Sequence, residues 1–544
     1  MIQSRSVVGT HWQSAMGLVL VLLLAAAVRI PAVERGLFHW DEAQYLFAVQ
    51  PGVLALRDTL GVDDWPRPFS EQSPFDTEAV PYWAFSAKPG YDLIVLLYGT
   101  VAGLTPASVA VLSVLFGLST VLVLHRLARH VFDDRVALVA AVILGVSAYH
   151  VFYSASQIPA VMATFFLLLG IYFYLVAVST KSPRRLVLAG VTIAYAFGCH
   201  YNLLLLVLAV FGFQVFRALA SRRREDVKDV LLLGSAFLAT AVVFELFYRS
   251  LIPFAYGHVS DGRGAYLAQL RFTAGFFQWA LASGIERFPS LMVDSEGVYI
   301  VALSIFGWVV SSRRAVQDRS VAVLWALPAL QGAAALYAGL RGSPLFSRMI
   351  VTMLPFCALW AAVGIVWLAQ AGGALVRKPY ASPAIVSVAM AAVLFIQVPR
   401  AWAVAHYRSG YPEAAAYVKD HGGGQEIALG LPVEQYYLRS FGGALGLPTS
   451  LEELKTQRDQ TGVRLLVLDY RVNVLEEWGN PLGPVLRDWE RQHRPEAVIA
   501  NTMAATPLIA AEIAMTRESL ARTLQDPLTP TIRIYDLTDL LSPE

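Results

Sequence analysis

The sequence predicts an α-helical polytopic membrane protein of about eleven transmembrane helices, followed by a small extracytoplasmic α/β domain. Three observations predict it. Of the 544 residues, 56% are hydrophobic and only 15% charged, and the mean hydropathy is +0.54, a balance foreign to soluble domains. Apolar runs approach the ~20 residues that a helix needs to cross a bilayer, and Lys and Arg cluster between them as they do in short cytoplasmic loops. From Ala401 onward charged and polar residues separate short apolar runs, the pattern of a domain built outside lipid.

The first span, 14–33, contains the apolar run Met16 to Val28 after Arg5. It reads either as the core of a signal peptide, with Ala25-Ala26-Ala27 for cleavage, or as an uncleaved anchor. Because the apolar stretch resumes after Arg29, the anchor is favoured. Further spans are expected at 107–125, 136–152, 159–178, 186–200, 203–219, 230–248, 297–310, 321–340, 349–370 and 383–398. Between them lie Arg126/Arg129/Arg135, Lys181/Arg184/Arg185, Arg222/Arg223/Arg224/Lys228, Arg313/Arg314/Arg319 and Arg377/Lys378, on alternate turns as the charge rule requires. The expected orientation in a plasma (inner) membrane is therefore N-terminus in the cytoplasm and C-terminus outside. The apolar stretch 93–104 is too short to span and is expected as an interfacial helix. It belongs to the first of two long external loops, 34–106 and 249–296, which carry aromatic residues suited to the interface.

The expected division is thus a membrane domain, 1–400, and an α/β domain, 401–544. In the latter, strands are expected at 464–469 and 532–535, and helices at 450–458 and 517–524. Cys199 and Cys357 both sit in apolar runs, which excludes a disulfide framework and a cysteine-based zinc site. A formal net charge of +2 gives no reason to expect nucleic acid as a partner. The chain has no Gly-x-x-x-x-Gly-Lys loop, dinucleotide glycine fingerprint, His-Glu-x-x-His, Asp-x-Asp or repeat of 20 to 50 residues, so soluble nucleotide chemistry is unsupported.

Candidate chemistry concentrates outside the membrane. Phe38-His39-Trp40-Asp41-Glu42-Ala43-Gln44-Tyr45 puts two carboxylates just beyond the first span. They read either as the acidic first turn of a helix or as a site in which Asp41 takes the proton of an acceptor hydroxyl, with Glu42 beside it. Ala87-Lys88-Pro89-Gly90-Tyr91 places a cation next to the bilayer, with Pro89 forcing Lys88 out of helical geometry. Lys88 and Tyr91 are candidate binding residues, although a surface lysine is ordinarily just solvated. Arg341 and Arg348 flank a short external loop against the charge rule, where they either snorkel or grip a phosphate with their forked donors. His200-Tyr201-Asn202 reads as a polar interfacial turn, and His200 and Tyr201 are further binding candidates.

In order and sidedness these elements resemble the GT-C class of membrane glycosyltransferases, in the branch of the protein O-mannosyltransferases and the lipid A aminoarabinose transferase. The matching points are the Asp41-Glu42 pair after the first span, Lys88-Pro89 later in the same loop, and Arg348 with Pro355 seven residues on. The resemblance implies a GT-C-like fold and inverting transfer of a monosaccharide from a polyprenyl-phosphate donor to a hydroxyl on a glycolipid, polysaccharide or protein. By position, it implies Asp41 as base and Lys88 and Arg348 at the phosphate, where cations stabilise a developing leaving-group charge. Gly90 departs from the second proline often found after Lys-Pro. Ala87 stands where the aminoarabinose enzymes have an acid, so the sequence supports no metal or other cofactor there. A transporter or flippase is the reading from another class, but the inverted repeats that would favour it are absent.

Overall fold

The computed structural model of the chain describes residues 4–61, 88–200, 203–256, 284–340, 347–377, 380–421 and 428–537, less 431–432, 434–436, 438–443, 478, 505 and 514–515. Its first helices are α1 (Ser4–Ala27), α2 (Trp40–Leu60), α3 (Pro89–Ala102), α4 (Pro106–Val131), α5 (Asp134–Gly145), α6 (Ala148–Tyr153), α7 (Ala160–Thr180) and α8 (Pro183–Cys199). They are followed by α9 (Leu204–Ser221), α10 (Arg224–Tyr256), α11 (Gly284–Glu296), α12 (Val298–Val310), α13 (Ser312–Gln317), α14 (Arg319–Leu340), α15 (Leu354–Val376) and α16 (Ala381–Ala405). The tail continues with α17 (Tyr411–His421), β1 (Ala428–Gly430), β2 (Ala444–Gly446), α18 (Leu451–Thr461), β3 (Leu465–Leu468), α19 (Leu482–Glu490), β4 (Ala497–Ala500), α20 (Pro507–Ile513), α21 (Arg517–Gln525) and β5 (Thr531–Asp536).

Each expected span overlaps a helix, as it must where backbone groups in lipid bond within their own segment. Among the described residues six helices are long and apolar enough to cross a membrane, or seven when one bent pair is counted as a span. The expected span 136–152 is not one helix: it breaks at Val146 and Ser147, between α5 and α6. Ser147 caps α6 by accepting from the His150 N–H and donates its own hydroxyl to Glu296 at 2.5 Å. The buried Arg29 donates to the Gly145 carbonyl at 2.7 Å, occupying an acceptor that the break exposes. The apolar count that located this span is blind to such polar groups.

A second bend, of 107°, lies at Gly297, where φ is +80°. α7, α9 and α15 end in Lys181, Arg222 and Arg377, each in the left-handed region with φ between 50° and 55°. Each donates its N–H to the carbonyl four residues back, and each adds a cation to the negative end of its helix. These are the first residues of three of the basic clusters seen in the sequence.

By internal contacts the chain divides into two compact units. The helical unit takes Met1–Ala32, Phe85–Val95 and Ala110–Ala405; the α/β unit takes Val33–Ala84, Leu96–Val109 and His406–Glu544. Within the helical unit α15 is the most buried span, and α12 crosses it through Gly307 and Gly364. A Cβ on Gly364 would lie 2.6 Å from the Leu303 carbonyl, so small residues permit this approach.

The α/β unit holds a five-stranded sheet of order β2-β1-β3-β5-β4. β2, β1 and β3 are parallel, while β5 runs antiparallel to both β3 and β4. The register pairs Leu466 with Tyr535 and Val467 with Ile534. One core cluster joins Leu454 of α18, Leu466 and Leu468 of β3, Leu486 of α19 and Tyr535 of β5. The strands and helices expected at 464–469, 532–535, 450–458 and 517–524 are all present. β1 and β2 are three-residue strands of Ala, Leu and Gly, whose low β-propensity gives no sequence signal.

Candidate active site

The acidic motif lies in the α/β unit at the start of α2. His39 is the N-cap, and its Nδ1 accepts the Asp41 N–H at 3.0 Å. Three residues on, the Glu42 carboxylate accepts from the backbone N–H groups of Phe38, at 2.7 Å, and of His39, at 3.3 Å. Arg35 completes this arrangement with a 2.8 Å ion pair to Glu42, both side chains being buried. The cap therefore satisfies orphan donors that any helix start exposes. Glu42 is spent on it, whereas the Asp41 side chain keeps 25% of its surface exposed. An Asp41 oxygen lies 3.7 Å from His39 Nδ1.

The basic motif lies in the helical unit. Lys88 precedes α3, Pro89 opens the helix, and Lys88 is almost fully buried. Gly90 then sits against the end of α8: a Cβ there would lie 3.0 Å from the Tyr195 carbonyl and 3.1 Å from the Cys199 nitrogen. This close approach accounts for glycine at that position. It brings Lys88 towards His200, the residue that ends α8. His200 is itself buried, and the charges of Lys88 and Arg348 both act on it. Arg348, half-buried, stands in the 3₁₀ turn Ser347–Met353 that leads into α15.

Lys88 and Arg348 therefore both lie within electrostatic reach of His200. Tyr91 is fully buried and donates its hydroxyl to the Gln157 carbonyl at 2.5 Å, which ties α3 to the turn before α7. Tyr201 and Arg341 lie outside the described residues. Sequence reasoning missed Asp92, a buried carboxylate one turn after Lys88 that, with Lys88, acts electrostatically on Cys199. Its four-residue spacing from Lys88 was the available signal. It also missed Arg35, whose role depends on a cap that only the fold reveals. Among the described residues no three His, Cys, Asp or Glu side chains gather as a metal site requires.

Residues 87–247 match the family model described as dolichyl-phosphate-mannose-protein mannosyltransferase. That stretch contains Lys88 and His200 but neither Asp41 nor Arg348. Among solved structures, the chain is similar to the oligosaccharyltransferase of Archaeoglobus fulgidus in its apo form, with a TM-score of 0.59 at 13% identity over 87% of this chain and 71% of that one. The same archaeal enzyme, AglB, in complex with an inhibitory peptide and a dolichol-phosphate gives a TM-score of 0.58, again at 13% identity and the same coverage. ArnT from Cupriavidus metallidurans in the apo state gives 0.51 at 12% identity, over 86% of this chain and 95% of that one. Comparison with curated protein sequences gave no match. The chain has the GT-C fold of membrane glycosyltransferases and, over residues 87–247, resembles the dolichyl-phosphate-mannose-protein mannosyltransferases.

Proposed function

We propose that the chain is an inverting glycosyltransferase that moves a monosaccharide from a polyprenyl-phosphate donor to an acceptor hydroxyl on the extracytoplasmic side. The observation that carries this reading is that two cations, the buried Lys88 and the half-buried Arg348, both lie within electrostatic reach of the buried His200. Departure of a lipid phosphate builds negative charge at the membrane surface, and fixed cations in a poorly hydrated site stabilise it most. The dolichol-phosphate found with the archaeal oligosaccharyltransferase shows that a protein of similar fold takes a ligand of this class.

In the same reading Asp41 accepts the proton of the attacking hydroxyl. Glu42 holds the loop in shape, since its carboxylate is buried among the donors of its own helix cap. Arg341 and Tyr201 extend the substrate contacts. The acceptor is a glycan, lipid or protein hydroxyl.

The test uses purified chain and a panel of radiolabelled polyprenyl-phosphate monosaccharides, with transfer to endogenous membrane acceptors as readout. Consumption of one donor with label appearing in an acceptor supports the reading; intact donor throughout, with lipid moved across vesicles, supports a flippase instead. Lys88→Ala should weaken donor use by on the order of 2 to 5 kcal/mol, as expected for a buried cation facing an anion. Arg348→Ala should cost less, because a half-exposed cation is better screened. Unchanged kinetics in both would place the phosphate elsewhere.

A further inference from the structure

The segment that carries the acidic motif is held by residues about 370 to 430 positions away in the same α/β unit. Its backbone is fixed at three points. The Ser409 N–H donates to the Arg35 carbonyl at 2.9 Å, the Leu37 N–H donates to the Tyr437 hydroxyl at 2.7 Å, and the Phe38 carbonyl accepts from Arg471, at 2.7 Å, and from the Tyr470 hydroxyl, at 3.2 Å. Gly36 lies between the first two with φ of +79°, and a Cβ on it would collide with the Ser409 hydroxyl.

Arg471 is itself locked. It is fully buried, pairs with Asp469, donates to the Tyr411 hydroxyl at 2.6 Å, and stacks its guanidinium 5.0 Å from the Tyr470 ring. Asp469 directly follows β3, caps the turn Tyr470–Asn473, and accepts from the Tyr411 hydroxyl and the Arg471 N–H. Arg533 of β5 donates to the Asp469 carbonyl at 3.2 Å and is anchored by Glu490 at 2.6 Å. A continuous set of bonds thus runs from the sheet to the residue before the N-cap of α2. A buried ion pair gains little net stability against its desolvation, so one that also reaches a distant backbone carbonyl is better explained by what it fixes.

We propose that Tyr437, Tyr470 and Arg471 are positioning residues, through which the C-terminal sheet sets where Asp41 stands. The inference rests on the reading of Asp41 as the base. It assigns the tail a share in transfer, by holding the backbone that presents the carboxylate. Misplacement of a catalytic group by a fraction of an ångström costs rate without costing affinity for the other substrate.

Arg471→Ala would strand Asp469 in the core and is a poor test. Tyr437→Phe combined with Tyr470→Phe removes only the two hydroxyls that grip Leu37 and Phe38. The full-length variant, assayed with the labelled polyprenyl-phosphate monosaccharide that the wild type consumes, should lose about tenfold in kcat with donor KM within about twofold. In an Asp41→Asn background the same pair should change turnover by less than about twofold, because residues acting as one unit are not additive. Hydrogen exchange should quicken in peptides covering 35–46 and stay slow over 465–468, which separates local release from unfolding. Wild-type kcat in the double tyrosine variant, or a full multiplicative loss on top of Asp41→Asn, overturns the positioning role. Near wild-type turnover of Asp41→Asn alone overturns the base reading instead, so the two failures are told apart.

Discussion

Asp41 and Glu42 are neighbours in sequence but stand in different electrical surroundings. Glu42 neutralises the buried Arg35 and satisfies two backbone donors, so Glu42→Gln leaves a buried guanidinium without its counter-charge. Breaking such a pair costs about 3 to 5 kcal/mol, and the expected result is a lower Tm and yield with turnover per folded molecule largely kept. Asp41 is the proposed base. Asn has nearly the same shape but takes no proton, so Asp41→Asn should keep Tm and donor binding while turnover falls by about 10² to 10⁴-fold. Calorimetry beside a transfer assay checks both at once. If Glu42→Gln loses the activity and Asp41→Asn the stability, the roles are exchanged.

Gly90 of α3 packs against the end of α8, and the basic motif depends on that contact. Gly90→Ala places a methyl group 3.0 to 3.1 Å from backbone atoms of α8, which yield only if a helix shifts. Overpacking of this kind costs about 1 to 3 kcal/mol. Since the shift parts Lys88 from His200, donor KM should rise while Asp41-dependent chemistry persists. Gly212→Ala on α9, with nothing within 4 Å of its Cβ, is the control and should be neutral or slightly stabilising. The same elements show what the sequence discloses. Apolar length pointed to the helices of the membrane unit, and short apolar runs between polar residues pointed to β3 and β5, because both patterns are local. The Lys-Pro pair and the acidic pair were legible as motifs, since charge beside a bilayer is conspicuous. The break at Ser147 was not read from apolar length, and the Glu296 carboxylate that Ser147 bonds there lies 149 residues further along the chain. Nor was the grip of Arg471 on Phe38, for the two are 433 residues apart and nothing in either neighbourhood points to the other.

For the molecule as a whole, the proposed reaction stands or falls with sidedness. A lipid-phosphate sugar is used outside only if the loop that carries Asp41 and the tail that grips it face outside together. The basic turns argue for this: Arg223 and its neighbours lie between α9 and α10, where the charge rule puts the cytoplasm. The native cysteines are both buried, so background labelling by an impermeant thiol reagent should be low. Single cysteines introduced at Asp64, in the first loop, and at Gln457, half-buried on α18, should then react in intact cells. A cysteine at Arg223 should react only after the cells are opened. Asp64 and Gln457 are paired deliberately, because the bonds between Phe38 and Arg471 require both regions to be on one side of the membrane. Labelling of Gln457 without Asp64 would contradict that fold. Labelling of Arg223 with both others silent would leave the fold intact, reverse its orientation, and move the proposed chemistry to the cytoplasmic face, where the donor reading would have to be abandoned.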